Sequence, residues 1–208
     1  MKLGKSIQSF FTLLLVLFLT NNSALAIMTS EGDSTTTEKE LSFEDKALID
    51  LFSNYFNKKD YQWALSIWDE ISPEARENPK LEYQHMIAKN ITIKPDSSYH
   101  RNEEFIKKYP NYGPALFWKA KVHFDRAEKR YQYEMNKYEK DKNTTAYAYL
   151  RRELKNLSTD YVLARDILIK LKDIDPTNKN YLIYLRNSYV RLEMQQEAAQ
   201  INKLIEDL

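Results

Sequence analysis

At 208 residues, with 43% hydrophobic and 29% charged side chains, the chain has an ordinary globular balance and enough length for one sizeable core or a short repeat array. Its formal net charge of +1 creates no global field that would draw it to nucleic acid or to an anionic membrane. Three Gly and six Pro are too few for the many tight turns of an all-β fold, so an all-α fold is expected.

The first 26 residues read as a secretory signal peptide. Lys2 and Lys5 supply a positive start, "FFTLLLVLFL" (10–19) an apolar core, and "ALA" (24–26) small residues for cleavage after Ala26. The alternative is an uncleaved anchor, but the apolar run is about half the roughly 20 residues a spanning helix needs. No stable membrane insertion is expected after cleavage, and the mature protein is expected in the periplasm or secreted. Cysteine is absent, which removes both disulfides and lipid anchoring through a Cys beside the cleavage site. Three N-glycosylation patterns, at Asn90, Asn143 and Asn156, are a chance outcome in an Asn-rich chain.

Residues 27–41 are polar and read as a disordered linker. The folded domain is expected over 42–208, beginning at "SFED", where Ser42 and Asp45 form a capping-box pattern. Leu48, Leu51, Phe52 and Tyr55 make a first helical stripe. After the polar break "NKKD" (57–60), Trp63, Ala64, Ile67, Trp68 and Ile71 make a second. Asn78-Pro79 caps a third helix, carrying Leu81, His85 and Ala88, and "KPDSS" (94–98) is a turn. Tyr99, Phe105, Ile106 and Tyr109 follow, ending at Pro110. Gly113-Pro114 opens the longest segment, where Leu116, Ala120, Phe124, Ala127, Tyr131, Met135 and Tyr138 keep one face over about six turns. "KDKNTT" (140–145) breaks it. Tyr147, Leu150, Leu154 and Leu157 form the next stripe, and Ser158-Thr159-Asp160 is expected to turn the chain into "DYVLARDILIKLKDIDP" (160–176). Connections this short make neighbouring helices antiparallel.

Internal spacing adds a repeat. Leu182-x-x-Leu185-x-x-x-Tyr189 is followed nine residues later by Ala198; Leu48-x-x-Leu51-x-x-x-Tyr55 is followed nine residues later by Ala64. Ala164 lies 34 residues before Ala198, and Pro176 closes its helix. These spacings resemble the tetratricopeptide repeat over 45–79 and 160–208, with Trp68 and Leu168 at the bulky second-helix position. The resemblance implies an antiparallel helix-hairpin α-solenoid. In it each small Ala is where two helices cross closely, Tyr fills the gap beside it, and Pro sets the angle into the next unit. Phe52 and Arg186 stand where the family usually has Gly, so wider helix spacing is expected there. The segment 80–157 fits poorly and reads as an irregular, elongated unit.

The resemblance also implies a groove lined by first helices. It places Asn180, Tyr184, Asn187 and Arg191 on one face as the candidate partner surface for another protein. Carboxylate-binding members carry Lys where this chain has Ile49 and Ile183, so capture of a peptide C-terminus is not expected. Catalytic patterns are missing. His85, His100 and His123 have no metal-ligand spacing, no phosphate or dinucleotide loop exists, and nothing singles out Glu103, Glu104 or Glu153 from a solvated helix face. The Tyr, Lys and Arg of "KRYQYEMNKYEKDKNTTAYAYLRRELK" (129–155) read as solvated faces around a core stripe, with no nucleic-acid partner. The expectation is an exported scaffold or adaptor in the cell envelope, non-enzymatic and without cofactor or metal. A helical glycan-cleaving enzyme and a secreted host-acting factor are the alternatives.

Overall fold

A Ser hydroxyl at the head of the first apolar stripe sets where the helical unit begins. In the computed structural model, which describes residues 41–92 and 97–208, Ser42 Oγ accepts the Asp45 amide at 3.0 Å and opens α1, Phe43–Asn57. The expected signal peptide, almost all of the expected linker and most of the expected 94–98 turn lie outside the described residues. Asp60 caps α2 (Tyr61–Trp68), and Ser72 with Pro73 behind it starts the short α3 (Pro73–Arg76), which the Pro and Ala of "SPEAREN" had not revealed. Asn78 Oδ1 accepts the Lys80 and Leu81 amides at 3.0 and 3.1 Å and starts α4, Pro79–Thr92. Then come α5 (Ser98–Lys108), α6 (Gly113–Lys140), α7 (Thr144–Ile174), α8 (Lys179–Arg191) and α9 (Gln195–Glu206). Among the described residues there is no strand, and no helix is long and apolar enough to cross a membrane.

Asp45 does more than close its own cap. Its carboxylate accepts the Ser72 amide and the Ser72 hydroxyl, both at 2.9 Å, as well as the Ser42 hydroxyl at 2.8 Å. The Ser72 amide above all, with the Ser42 hydroxyl next, holds this carboxyl below its ordinary range.

The first and last hairpins are built on one turn. In α1–α2, Lys59 N–H donates to Phe56 C=O, and Asp60 N–H to Tyr55 C=O, at 2.9 and 3.0 Å; in α8–α9, Glu193 donates to Val190 and Met194 to Tyr189, at 3.2 and 2.9 Å. Each pair is a Schellman closure that satisfies the last carbonyls of the first helix. It requires a left-handed residue, and the chain uses Lys59 (φ 62) and Glu193 (φ 60) where Gly would be unstrained. Asp60 and Met194, the next residues, share φ −88 and ψ 70. Tyr55 and Tyr189 thus occupy the same closing position. Ala64 and Ala198 are each the fourth residue of the helix that follows, 0% and 5% exposed. The Gly-substituted positions also correspond. Phe52 packs on Trp68 with ring centroids 5.6 Å apart, while Arg186 reaches Asn202 at 3.2 Å. One pair is apolar and interior; the other is polar and part-buried.

The middle hairpin departs from this plan. Ser158-Thr159-Asp160 does not turn the chain: α7 runs unbroken through it for 31 residues. Ser158 Oγ donates back to Lys155 C=O at 2.7 Å within the helix, and Asp160 binds His123 across the hairpin at 2.7 Å, so both side chains find partners that leave the backbone helical. Leu154, Leu157, Tyr161, Ala164 and Leu168 carry one apolar stripe across the supposed break. Cross-hairpin pairs fix the register: His123 with Asp160, Phe124 with Tyr161, Arg130 with Glu153, Tyr138 with Tyr147. That register sets Ala120 opposite Ala164, both 0% exposed, so small residues allow the close crossing. Ala164 is the twenty-first residue of its helix rather than the fourth. The hairpin is therefore a repeat hairpin whose tight turn has been replaced by a long two-helix arm.

The core runs along the array in sequence order. Phe52, Ala64, Ile67, Trp68, Ile71, Ala75 and Leu81 fill the first hairpin; Tyr83, Phe105 and Ala115 bridge α4, α5 and α6. The largest cluster joins α6 to α9 through Leu168, Leu171, Leu182 and Leu185, each 0% exposed. Full burial of each such leucine stabilises by about 1.5–3 kcal/mol. α7 stops at Ile174, where Pro176 has no amide to continue the helix, and Asn178 caps α8. The result is an all-α array of antiparallel helix hairpins.

Candidate partner-binding face

The four expected face residues lie on one side of α8, and α6 decides what each can do. Asn180 is exposed. Tyr184 is half-buried, edge-on to Phe117 and Phe124 of α6 with centroids 5.4 and 5.2 Å away. Lys121 of α6 sits 5.6 Å from the Tyr184 ring and pairs with Asp125. Asn187 Oδ1 accepts Arg186 Nε and Nη2 at 3.2 and 3.0 Å. Arg191 donates Nε and Nη2 to Glu128 of α6 at 2.8 and 2.6 Å, and its guanidinium lies 4.0 Å from the Tyr131 ring. Tyr184 and Arg191 thus fasten α8 to α6. Asn180 and Asn187 share the Tyr184 side of α8, and Lys121 of α6 lies beside the Tyr184 ring.

Glu128 gathers three helices. Beside the two bonds from Arg191, it accepts the Tyr161 hydroxyl of α7 at 3.0 Å and Gln132 Nε2 at 2.8 Å. Burial pushes its carboxyl up, but the bonds from Arg191, Gln132 and Tyr161 outweigh burial and hold it below the ordinary range. Burial, then the Glu128 charge, pushes the Tyr161 hydroxyl up. Helical period could not find this clamp, because Glu128 sits on the polar flank of its stripe and its partner is 63 residues away. Phe117 and Lys121 were missed for the same reason.

Two of the three histidines are packed. His85 stacks on Trp68 with centroids 3.9 Å apart and planes 3° apart. Burial first, then the Lys89 charge, pushes its pKa down to about 4, against an opposing pull from Asp69. His123, 6% exposed, bridges Tyr99 Oη at 3.2 Å and Asp160 at 2.7 Å, tying α5 to α6 and α7. His100 is exposed. Each carboxylate weighed from sequence has a cation: Glu103 Lys119, Glu104 Lys107, Glu153 Arg130. Among the described residues no three His, Asp or Glu side chains are grouped to hold a metal ion.

No protein-family model matches the chain, and no curated protein matches it. Solved structures of MamA resemble it in part. "MamA RS-1 ArsTM double mutant" is 16% identical over 81% of this chain and 96% of that one, with a TM-score of 0.36. "MamA AMB-1 C2221" is 14% identical over 80% and 99%, TM-score 0.36, and "MamA MSR-1 C2" is 14% identical over 80% and 97%, TM-score 0.34. At these scores the likeness carries no weight; the chain's own helices, turns and cores define its architecture.

Proposed function

We propose that this chain is an exported tetratricopeptide-like scaffold that holds another protein along the seam of α6 and α8, and that it does no chemistry itself. The observation that carries this reading is the matching backbone geometry of the two end turns, with Tyr closing each and a buried Ala four residues into the next helix. That correspondence supports a repeat array, and a repeat array offers the concave face lined by its first helices to partners. α6 and α8 are such helices. Asn180 and Asn187 supply amide donors and acceptors, Lys121 a charge and Tyr184 an aromatic edge. In this reading residues 1–26 are a leader removed after Ala26, 27–41 a tether, and 42–208 the working domain in the periplasm or outside the cell.

The test compares proteins captured by the mature chain with those captured by Asn180→Glu/Asn187→Glu, which leaves Tyr184 and Arg191 to hold α8. Selective loss of a captured protein, with an unchanged melting temperature, is expected. Equal recovery by both would remove the seam as the binding face. Mass spectrometry of the native N-terminus should find a chain beginning at Ile27; one still beginning at Met1 would defeat export.

A further inference from the structure

We propose that the arm formed by residues 129–155 docks an acidic polypeptide segment. This rests on the scaffold reading above and names a second surface and its partner's chemistry. The arm carries eight Lys or Arg against four Asp or Glu, a net +4, while the rest of residues 41–208 sums to −2. Its charge is therefore segregated, against a chain that is nearly neutral. The arm is also additional to the repeat, since the end hairpins close the same connection with one tight turn. Beyond the Tyr131–Arg191 contact, among the described residues no hydrogen bond, ion pair or ring contact links 132–155 to any helix other than α6 and α7.

The exposed side chains fall into two stripes. Lys129, Tyr133 and Lys140 share one face of α6; Tyr147, Arg151 and Lys155 step by four along α7. Tyr133 is 65% and Tyr147 49% exposed. Among the described residues Lys129, Lys140, Arg151 and Lys155 have no carboxylate partner, unlike Arg130 with Glu153 and Lys142 with Glu139. Lys129 and Lys140 flank Tyr133 on one stripe, and Arg151 and Lys155 follow Tyr147 a turn apart on the other, an array of cations and phenol hydroxyls that suits carboxylates on an extended acidic chain. A bilayer fits poorly, because the arm's exposed large hydrophobics are these two tyrosines, with no aliphatic group to insert. A long polyphosphate would overrun the arm onto the net-negative remainder.

The experiment titrates a fluorescein-labelled oligoglutamate peptide into the mature chain and reads anisotropy. Binding should weaken by about tenfold or more between low and physiological salt. Lys129→Glu/Lys140→Glu/Arg151→Glu/Lys155→Glu should abolish it, and the milder Arg151→Gln/Lys155→Gln should weaken it severalfold with an unchanged circular dichroism spectrum. A control, Lys179→Glu/Lys203→Glu, should bind like wild type. The proposal is overturned by arm variants that bind like wild type, by an equal loss in the control, or by tighter binding of a single-stranded oligonucleotide or of phosphatidylglycerol vesicles. The Asn180→Glu/Asn187→Glu chain separates the two surfaces. It should keep the peptide while losing its seam partner; peptide binding absent with the seam partner kept sinks the arm alone.

Discussion

The end hairpins and the middle hairpin solve one problem differently. α1–α2 and α8–α9 reverse direction in a few residues by placing a strained left-handed Lys59 or Glu193 behind a Tyr carbonyl. α6–α7 avoids that strain by continuing both helices outward until Asp141, Lys142 and Asn143 turn the chain. Near the array, α6 and α7 are sealed by alanines, leucines and α8; beyond Tyr131 the hydrogen bonds, ion pairs and ring contacts of the arm among the described residues stay within these two helices. A hairpin's worth to stability therefore depends on how many neighbours share its stripe, not on its length.

The largest effect that would break or sharpen this contrast is cavity formation. Leu168→Ala, at a site 0% exposed in the shared core, should cost about 2–5 kcal/mol in urea denaturation. Leu150→Ala in the arm should cost less than half as much; equal losses would make the arm part of the array. Next comes the Glu128 clamp. Arg191→Met should cost about 1.5–3 kcal/mol, the scale of hydrogen bonds to a charged group. Because the folded Glu128 carboxyl titrates below its ordinary 4.5, the clamp's contribution is present above that pH and lost as acid protonates it. In an acid titration wild type should lose this increment progressively as the pH falls below 4.5 and through the lower folded value, and Arg191→Met should show less of that loss.

Overpacking follows. Ala164→Leu should destabilise by about 1–3 kcal/mol, while Ala146→Leu, half-buried near the arm's tip, should stay within about 0.5 kcal/mol. If thermal melts show no loss for Ala164→Leu, the Ala120–Ala164 crossing is wrong. The smallest effect has the opposite sign. Glu193→Gly should raise stability by about 0.5–1 kcal/mol by relieving the left-handed strain. A loss there would mean that the Glu193 side chain does something the turn does not explain.

What the sequence disclosed was local. Ser42, Asn78-Pro79 and Pro176 announce helix ends because caps and missing amides act within one turn. Ala64, Ala164 and Ala198 showed themselves through spacing. Ser158-Thr159-Asp160 misled because its turn chemistry is real in isolation; His123, a helix away, recruits Asp160 and leaves the backbone helical. The face residues show the same limit. Tyr184 and Arg191 are polar or amphipathic on a helical wheel, yet Phe117, Phe124 and Glu128 of α6 engage both. The left-handed turns were invisible because Lys and Glu give no sign of positive φ, as Gly would.

The double duty of Asp45 has a consequence for how the chain can be trimmed. Its carboxylate joins Ser42 to Ser72, so the first turns of α1 and α3 depend on the same three side chains. The shortest polypeptide that keeps both intact starts at Ser42. An exopeptidase nibbling from the N-terminal side would meet a threshold there: the next cut uncaps α1, and trimming past Asp45 would release Ser72 at the head of α3 as well.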